Sequence, residues 1–155
     1  MQRLNLPTYS FNIKSGEGQE LIFDIFRKRW VPLTPEEWVR QTFARYLCES
    51  LGYPESLMLL EQKITHNSLT RRCDIVVYDR SGKPLLLVEC KAPEVTLNQK
   101  AFDQIARYNM VLGVGFLLVT NGLVHYSIRI DPGSGTHTFL SEIPSYQSML
   151  PNPPM

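Results

Sequence analysis

The sequence predicts an α/β domain with a central mixed β-sheet, flanking helices and a β-hairpin near the N-terminus. Two segments, 34–51 and 98–112, place apolar residues at helical spacing. Short apolar runs lie between and after them, and residues 114–120 have the length and composition of a strand that is buried on both faces. Helices that alternate with such strands are typical of a sheet covered by helices.

Composition narrows the class of protein. The 155 residues fit one domain, residues 1–150, followed by a flexible Pro-rich tail at 151–155. The chain is 43% hydrophobic and 20% charged, which is typical of a globular protein. It has no apolar run of the ~18 residues that a membrane helix needs, and no signal-type N-terminus. Three cysteines without CxxC spacing indicate reduced thiols. We therefore expect a cytoplasmic protein without a membrane partner.

The N-terminal third predicts a hairpin and then a helix. Residues 9–13 lead through a Gly-containing turn at 15–18 into a segment, 21–30, that is rich in strand-forming residues. Thr34, Pro35, Glu36 and Glu37 form the outline of a capping box with proline at the first helical position. The helix that starts there ends before Gly52.

The rest of the chain predicts a meander around a second helix. Residues 61–70 are of mixed character and extended, and 72–78 and 85–91 are strands joined by a turn at 79–82. The second helix covers about 98–112, with Thr96 and Gln99 as its candidate cap. The strands that follow are 114–120, 123–130 and a short one that ends at Leu140.

Three charged residues lie at the ends of the two central strands. Side chains alternate across a strand, so Glu89 and Lys91 share a face with Leu87, and Asp74 shares one with Val76. Paired as a hairpin, the strands bring Asp74 near the level of Glu89 and Lys91. Unpaired charge at the edge of a core is costly. The pattern leaves open either a buried salt bridge or a divalent cation held by Asp74 and Glu89, for which Mg²⁺ is suited.

A resemblance to a known family favours the second interpretation. Asp74, followed by Glu89, Cys90 and Lys91 at the end of an apolar strand, resembles the motif of the PD-(D/E)xK nuclease superfamily. Gln104 to Tyr108 on the second helix looks like the QxxxY element of RecB-like nucleases and of type I restriction motor subunits. Nearly the whole chain is similar to the N-terminal nuclease domain of type I restriction enzyme R proteins, which implies a restriction-endonuclease-like core. One departure is Cys73, where the motif has proline.

The resemblance implies Mg²⁺-dependent hydrolysis of DNA phosphodiester bonds, in restriction or repair. Asp74, Glu89 and the main-chain carbonyl of Cys90 would bind Mg²⁺ or Mn²⁺. Lys91 would orient the nucleophile or neutralise the transition state. The alternative is a catalytically silent nucleic-acid-binding or assembly module that retains the fold.

Supporting residues are implied on both helices. Gln104 and Tyr108 would position Lys91, the metal-bound waters or the DNA backbone. Superfamily members often add an acidic or amide residue from the first helix, and Glu37 and Gln41 are the candidates. Glu37 has a competing interpretation as the capping partner of Thr34.

DNA is the expected partner, although a net charge of +1 gives no general attraction to it. A chain of this size contacts little duplex, so a homodimer or a larger restriction or repair complex is expected. Local basic residues would have to supply the phosphate contacts, namely Arg40, Arg45, Arg71, Arg72, Lys100 and Arg107.

Overall fold

Two β-sheets and two main helices make up the computed structural model, which describes residues 1–131 and 133–151. The strands are β1 (Ile13–Gly16), β2 (Gln19–Asp24), β3 (Arg29–Pro32), β4 (Met58–His66), β5 (Leu69–Tyr78), β6 (Pro84–Cys90), β7 (Phe116–Thr120), β8 (His125–Ile130) and β9 (His137–Leu140). The helices are α1 (Pro35–Arg45), α2 (Gln99–Met110) and the short α3 (Tyr146–Met149). Residues 152–155 of the predicted tail lie outside the described residues.

The larger sheet has six strands in the order β4-β5-β6-β7-β8-β9. Strands β6 and β7 are parallel, with α2 between them in sequence, and the other neighbours are antiparallel. This confirms the predicted mixed sheet with flanking helices. In the described residues no helix is both long and apolar enough to cross a membrane.

The predicted N-terminal hairpin is β1–β2, and a third strand extends it to a small antiparallel sheet. Residues 21–30 contain parts of two strands because the chain turns after Asp24. The Asp24 carboxylate accepts hydrogen bonds from the backbone N–H groups of Phe26 (2.8 Å) and Arg27 (3.1 Å), which stabilise that turn.

Helix α1 begins as predicted. The hydroxyl of Thr34 accepts a hydrogen bond from the backbone N–H of Glu37 at 3.0 Å. The Glu37 carboxylate binds other side chains, so only half of the capping box forms. After Arg45 the chain continues through a π-helical turn, Tyr46–Ser50, and Gly52 follows with a φ of +72°.

Two local predictions were wrong. The segment 61–70 is not one extended stretch, because Asn67 and Ser68 have φ values of +50° and +67° and turn β4 back into β5. Helix α2 is capped by Asn98, whose side chain accepts from the N–H of Ala101 at 2.8 Å, and not by Thr96. A short 3₁₀ turn, Glu55–Leu57, also lies between the π-helical turn and β4.

Each face of the larger sheet has its own apolar core. One core contains the buried side of α1 with residues from the central strands, among them Val39, Phe43, Ile75, Val77 and Val88. The other contains α2 with Val76, Leu87, Phe102, Leu117 and Val119. The sheet is therefore covered on both faces, which fixes the positions of the strand ends that carry the charged residues.

Candidate active site

Strand pairing brings the predicted carboxylates to one level. In the ladder of β5 and β6, Ile75 is opposite Val88, so the next residues outward are Asp74 and Glu89. The backbone N–H of Cys90 donates a 2.7 Å hydrogen bond to Oδ2 of Asp74. The predicted hairpin is therefore confirmed, and Asp74 is anchored directly to the strand that carries Glu89.

The predicted face of Asp74 was wrong. Val76 belongs to the core against α2, whereas the Asp74 carboxylate contacts Arg40 of α1. The regular alternation of β5 is broken here, since Cys73 lies in the same core as Val76. Glu61 lies opposite Asp74 on β4 and has a φ of +56°. The register of β4 and β5 is interrupted at this pair, since Leu60 pairs with Ile75 and Gln62 with Cys73. This local distortion turns Asp74 toward the first helix.

Arg40 is the main partner of Asp74. Its Nη2 and Nε donate to Oδ1 of Asp74 at 2.6 and 3.2 Å, and Nη2 also lies 2.7 Å from Oε1 of Glu61. Nη1 donates to Glu37, and Glu36 lies 3.5 Å from Nη2. Burial by itself would lower the pKa of Arg40, but Asp74 and Glu37 outweigh that effect and hold the pKa above its ordinary value. The guanidinium is therefore fully charged.

Glu89, unlike Arg40, has few partners for its charge. Its half-buried carboxylate has no ion pair and no side-chain hydrogen bond within residues 1–131 and 133–151. Burial and the neighbouring Asp74 raise its pKa to about 8, against a smaller lowering by Lys91. A carboxylate with so little compensation gains strongly from a bound cation.

The first helix contributes an acid that the sequence interpretation missed. Glu36, whose side chain is about half exposed on the first turn of α1, has a raised pKa because of its partial burial and of Asp74, and Arg40 and Lys91 act in the opposite direction. It therefore shares an electrostatic environment with Asp74 and Lys91. The available signal was its spacing of four residues from Arg40, which the capping-box interpretation obscured.

Glu37 and Gln41 lie behind the site. Both are buried, and Nε2 of Gln41 donates to Glu37 at 2.8 Å. Glu37 also accepts from Nη2 of Arg27 at 2.7 Å. The structure therefore places Glu37 as a partner of Arg27 and Arg40, and Gln41 as a partner of Glu37. Their predicted entry into the site stays a prediction.

Gln104 and Tyr108 are exposed on α2. The guanidinium of Arg71 lies 4.3 Å from the centroid of the Tyr108 ring. Within the described part of the chain, neither residue bonds to Asp74, Glu89 or Lys91 through its side chain. The contact with Arg71 connects Tyr108 to β5, three residues before Asp74.

The basic residues gather only in part. Arg40 is buried within the site, Arg71 and Arg72 lie on β5 close in sequence to Asp74, and Arg72 pairs with Glu61 at 3.4 Å. Arg45 instead pairs with Glu49 at 3.1 Å. Lys100 and Arg107 are exposed on α2, and Arg107 lines a mainly apolar cavity of about 710 Å³ at the opposite end of β6, with His66, Lys83 and Phe116.

The residues present fit a hard divalent cation with few protein ligands. In the described ranges no three His, Cys, Asp or Glu side chains form a metal-binding group. Mg²⁺ needs fewer, because it retains several waters and commonly uses one or two carboxylates. Asp74 and Glu89, with the main-chain carbonyl of Cys90, would supply such a set of oxygen donors, and this ligand set stays a prediction. Around Arg40, carboxylates also outnumber cationic groups, and this excess of negative charge favours the binding of a divalent ion.

Comparisons with known proteins bear on the family and the fold of the chain. Residues 35–144 match the family model described as type I restriction enzyme R protein N terminus (HSDR_N). No curated protein matches the chain. Among solved structures, the chain is similar to a fragment of a candidate HsdR subunit of a type I restriction enzyme from Vibrio vulnificus YJ016. That match has 20% identity and a TM-score of 0.52, and covers 76% of this chain and 24% of that one.

A second similar structure is a candidate nuclease of the DUF820 group from Anabaena variabilis ATCC 29413. It is 14% identical with a TM-score of 0.46, and the match covers 79% of this chain and 82% of that one. The chain thus spans about a quarter of the Vibrio fragment and most of the Anabaena protein.

Proposed function

From the premise that the chain belongs to the family of type I restriction enzyme R protein N termini, we propose that it hydrolyses DNA phosphodiester bonds in a Mg²⁺-dependent reaction. Mn²⁺ would replace Mg²⁺ in the same site. The proposed catalytic residues are Asp74, Glu89 and Lys91.

One observation carries the proposal. Glu89 is a half-buried carboxylate with a pKa of about 8, next to Asp74 and Lys91 and without an ion pair among the described residues. A purely structural salt bridge would be expected to pair this carboxylate with a cation of the protein. An uncompensated carboxylate next to a second one is instead typical of a cation site or of a tuned acid.

The chain's own residues would divide the work. Asp74, Glu89 and the carbonyl of Cys90 hold the cation, which when bound lowers the pKa of a water and stabilises charge on the phosphate. Lys91, the residue immediately after β6, whose backbone N–H donates to the carbonyl of Thr120 at 2.8 Å, would orient the attacking water or neutralise the developing phosphate charge. Gln104 and Tyr108 would support the site from α2, and Tyr108 contacts Arg71 of β5.

DNA contact would use the half-buried Arg71 and the exposed Arg72 on β5, with Lys100 and Arg107 exposed on α2. Arg40 is already bound to carboxylates and is not assigned to phosphate. A chain of this size contacts little duplex, which favours a homodimer or a larger restriction or repair complex as the working form.

A second candidate function is a silent nucleic-acid-binding or assembly module. The observation that favours it is the engagement of both Asp74 oxygens by protein donors, Oδ1 by Arg40 and Oδ2 by the Cys90 N–H. In that case the charges serve the fold, and the protein would bind DNA without cutting it.

The experiment is metal-dependent cleavage of plasmid and single-stranded DNA by the wild type, Lys91→Ala and Lys14→Ala. We expect cleavage with Mg²⁺ or Mn²⁺, a loss of about 10²–10³-fold in Lys91→Ala, and no change in Lys14→Ala, on the separate N-terminal sheet. DNA binding without cleavage on any substrate, together with no metal binding by calorimetry, would support the silent module instead.

A further inference from the structure

One buried guanidinium is shared by four carboxylates at the candidate active site. Arg40 is 7% exposed and contacts Asp74, Glu37 and Glu61, with Glu36 at 3.5 Å. Buried charges are stable only when they are compensated, and this arginine has more partners than one positive charge requires. It can therefore release one carboxylate and remain paired.

Glu61 is held in this cluster at a cost to its backbone. Its φ of +56° is unusual for a residue other than glycine, and such strain persists only where the surrounding contacts maintain it. Its two oxygens contact Nη2 of Arg40 at 2.7 Å and Nη1 of Arg72 at 3.4 Å. Glu61 is thus a second anchor for Arg40, on the side away from Glu89.

We propose that Arg40 is an internal counter-ion that competes with the divalent cation for Asp74. In the metal-free protein it neutralises Asp74 and keeps the crowded carboxylates in place. When metal binds, the Arg40–Asp74 contact weakens, and Glu61 and Glu37 retain the guanidinium. The inference rests on the proposed function in taking Asp74 as a metal ligand, and Arg40 is a positioning residue within it.

Electrostatics sets the direction of the effect. Arg40 lies 2.6 Å from an oxygen of Asp74, so a cation on the same carboxylate is repelled by it. Removing the positive charge removes that repulsion and leaves the carboxylates in excess. Removing the charge of Glu61 has the opposite result, because Arg40 then depends more on Asp74. A residue that served only to shape Asp74 for the metal would weaken metal binding when replaced.

The test is calorimetric titration of the metal-free protein with MnCl₂ and MgCl₂, with folding checked by circular dichroism. We expect Arg40→Met to bind metal about tenfold more tightly than the wild type, and Glu61→Gln to bind several-fold more weakly. Arg45→Met is the control, since Arg45 is on the same helix but pairs with Glu49. It should leave the affinity unchanged.

Each outcome decides the matter. If a folded Arg40→Met binds metal more weakly than the wild type, or equally well, the proposal that Arg40 competes with the metal for Asp74 is overturned. The proposed function still stands in that case, provided that the wild type binds metal. If Arg40→Met does not fold, Glu61→Gln decides, and unchanged affinity there overturns the proposal. A wild type that binds no metal beside an Arg40→Met that does would support the competition. Binding by none of the variants would reject both ideas.

Discussion

Glu89 makes the stability of the metal-free protein depend on pH. Its pKa of about 8 in the folded protein compares with 4.5 for an unperturbed glutamate, so between these values the folded chain holds a proton that the unfolded chain releases. Stability from this group is therefore present below about pH 4.5 and is lost as the pH rises through about 8.

We predict that urea denaturation at about pH 5 and about pH 8.5 will show a larger loss of stability in the wild type than in Glu89→Gln, by on the order of 2 kcal/mol. Other groups titrate in both proteins, so the difference isolates Glu89. Parallel pH profiles of the two proteins would mean that Glu89 is solvated like a surface carboxylate.

Asp74 is tied to the fold as well as to the proposed chemistry. Because its carboxylate binds Arg40 and the Cys90 N–H, we predict that Asp74→Ala lowers the free energy of unfolding by about 2 kcal/mol. Glu37 and Glu61 still compensate Arg40, which keeps the loss below that of an isolated buried pair. Loss of stability in this variant is therefore no argument against catalysis, and unchanged stability would show that the Arg40 contact is weak in solution.

The central residues of the site could be predicted from the sequence, and their surroundings could not. Asp74, Glu89 and Lys91 follow from a short pattern at the ends of apolar strands. Arg40 is 34 positions from Asp74, so nothing local indicates their contact. The positive φ of Glu61, opposite Asp74, equally has no glycine or turn signal to announce it.

At the scale of elements, helix α2 offers a direct check on the corrected cap. Asn98 accepts the first N–H bond, whereas Thr96 is exposed two residues earlier. We predict that Asn98→Ala costs about 1 kcal/mol in urea denaturation and that the control Thr96→Ala has no measurable effect. A larger loss of stability in Thr96→Ala than in Asn98→Ala would show that Thr96 caps the helix, as the sequence predicted.

Element boundaries were predictable where local chemistry decides them. The proline and threonine at the start of α1 and the turn before β6 are strong local signals. The β4–β5 hairpin was missed because its turn, Asn67 and Ser68, lacks the glycine that usually marks such turns. The third N-terminal strand was missed because the Asp24 carboxylate, rather than a glycine or proline, forms the turn before it.

At the scale of the whole molecule, Gly122 joins the N-terminal segment to the larger sheet. Its carbonyl accepts from the N–H of Asn5 at 2.8 Å, and a Cβ at this position would lie 2.7 Å from the Leu4 side chain and 3.2 Å from that of Val39. Its φ is +86°. Any side chain here meets both backbone strain and a filled core.

We predict that Gly122→Ala lowers the melting temperature more than Gly135→Ala, by an amount that corresponds to about 1–3 kcal/mol. Gly135 has a similar φ of +71° but open space around it, so the pair separates packing from backbone strain. Equal losses in the two variants would show that the N-terminal segment does not pack on Gly122 in solution.

The central claim is that Asp74, Glu89 and Lys91 form a metal-dependent nuclease site. Its most direct measurement is the rate at which supercoiled plasmid and single-stranded DNA are cut by the wild type and by Glu89→Gln in MnCl₂ or MgCl₂. We predict wild-type cleavage that EDTA abolishes, and a rate at least about a hundredfold lower in Glu89→Gln. Equal cleavage by the two proteins, or none by the wild type on either substrate, would contradict the claim.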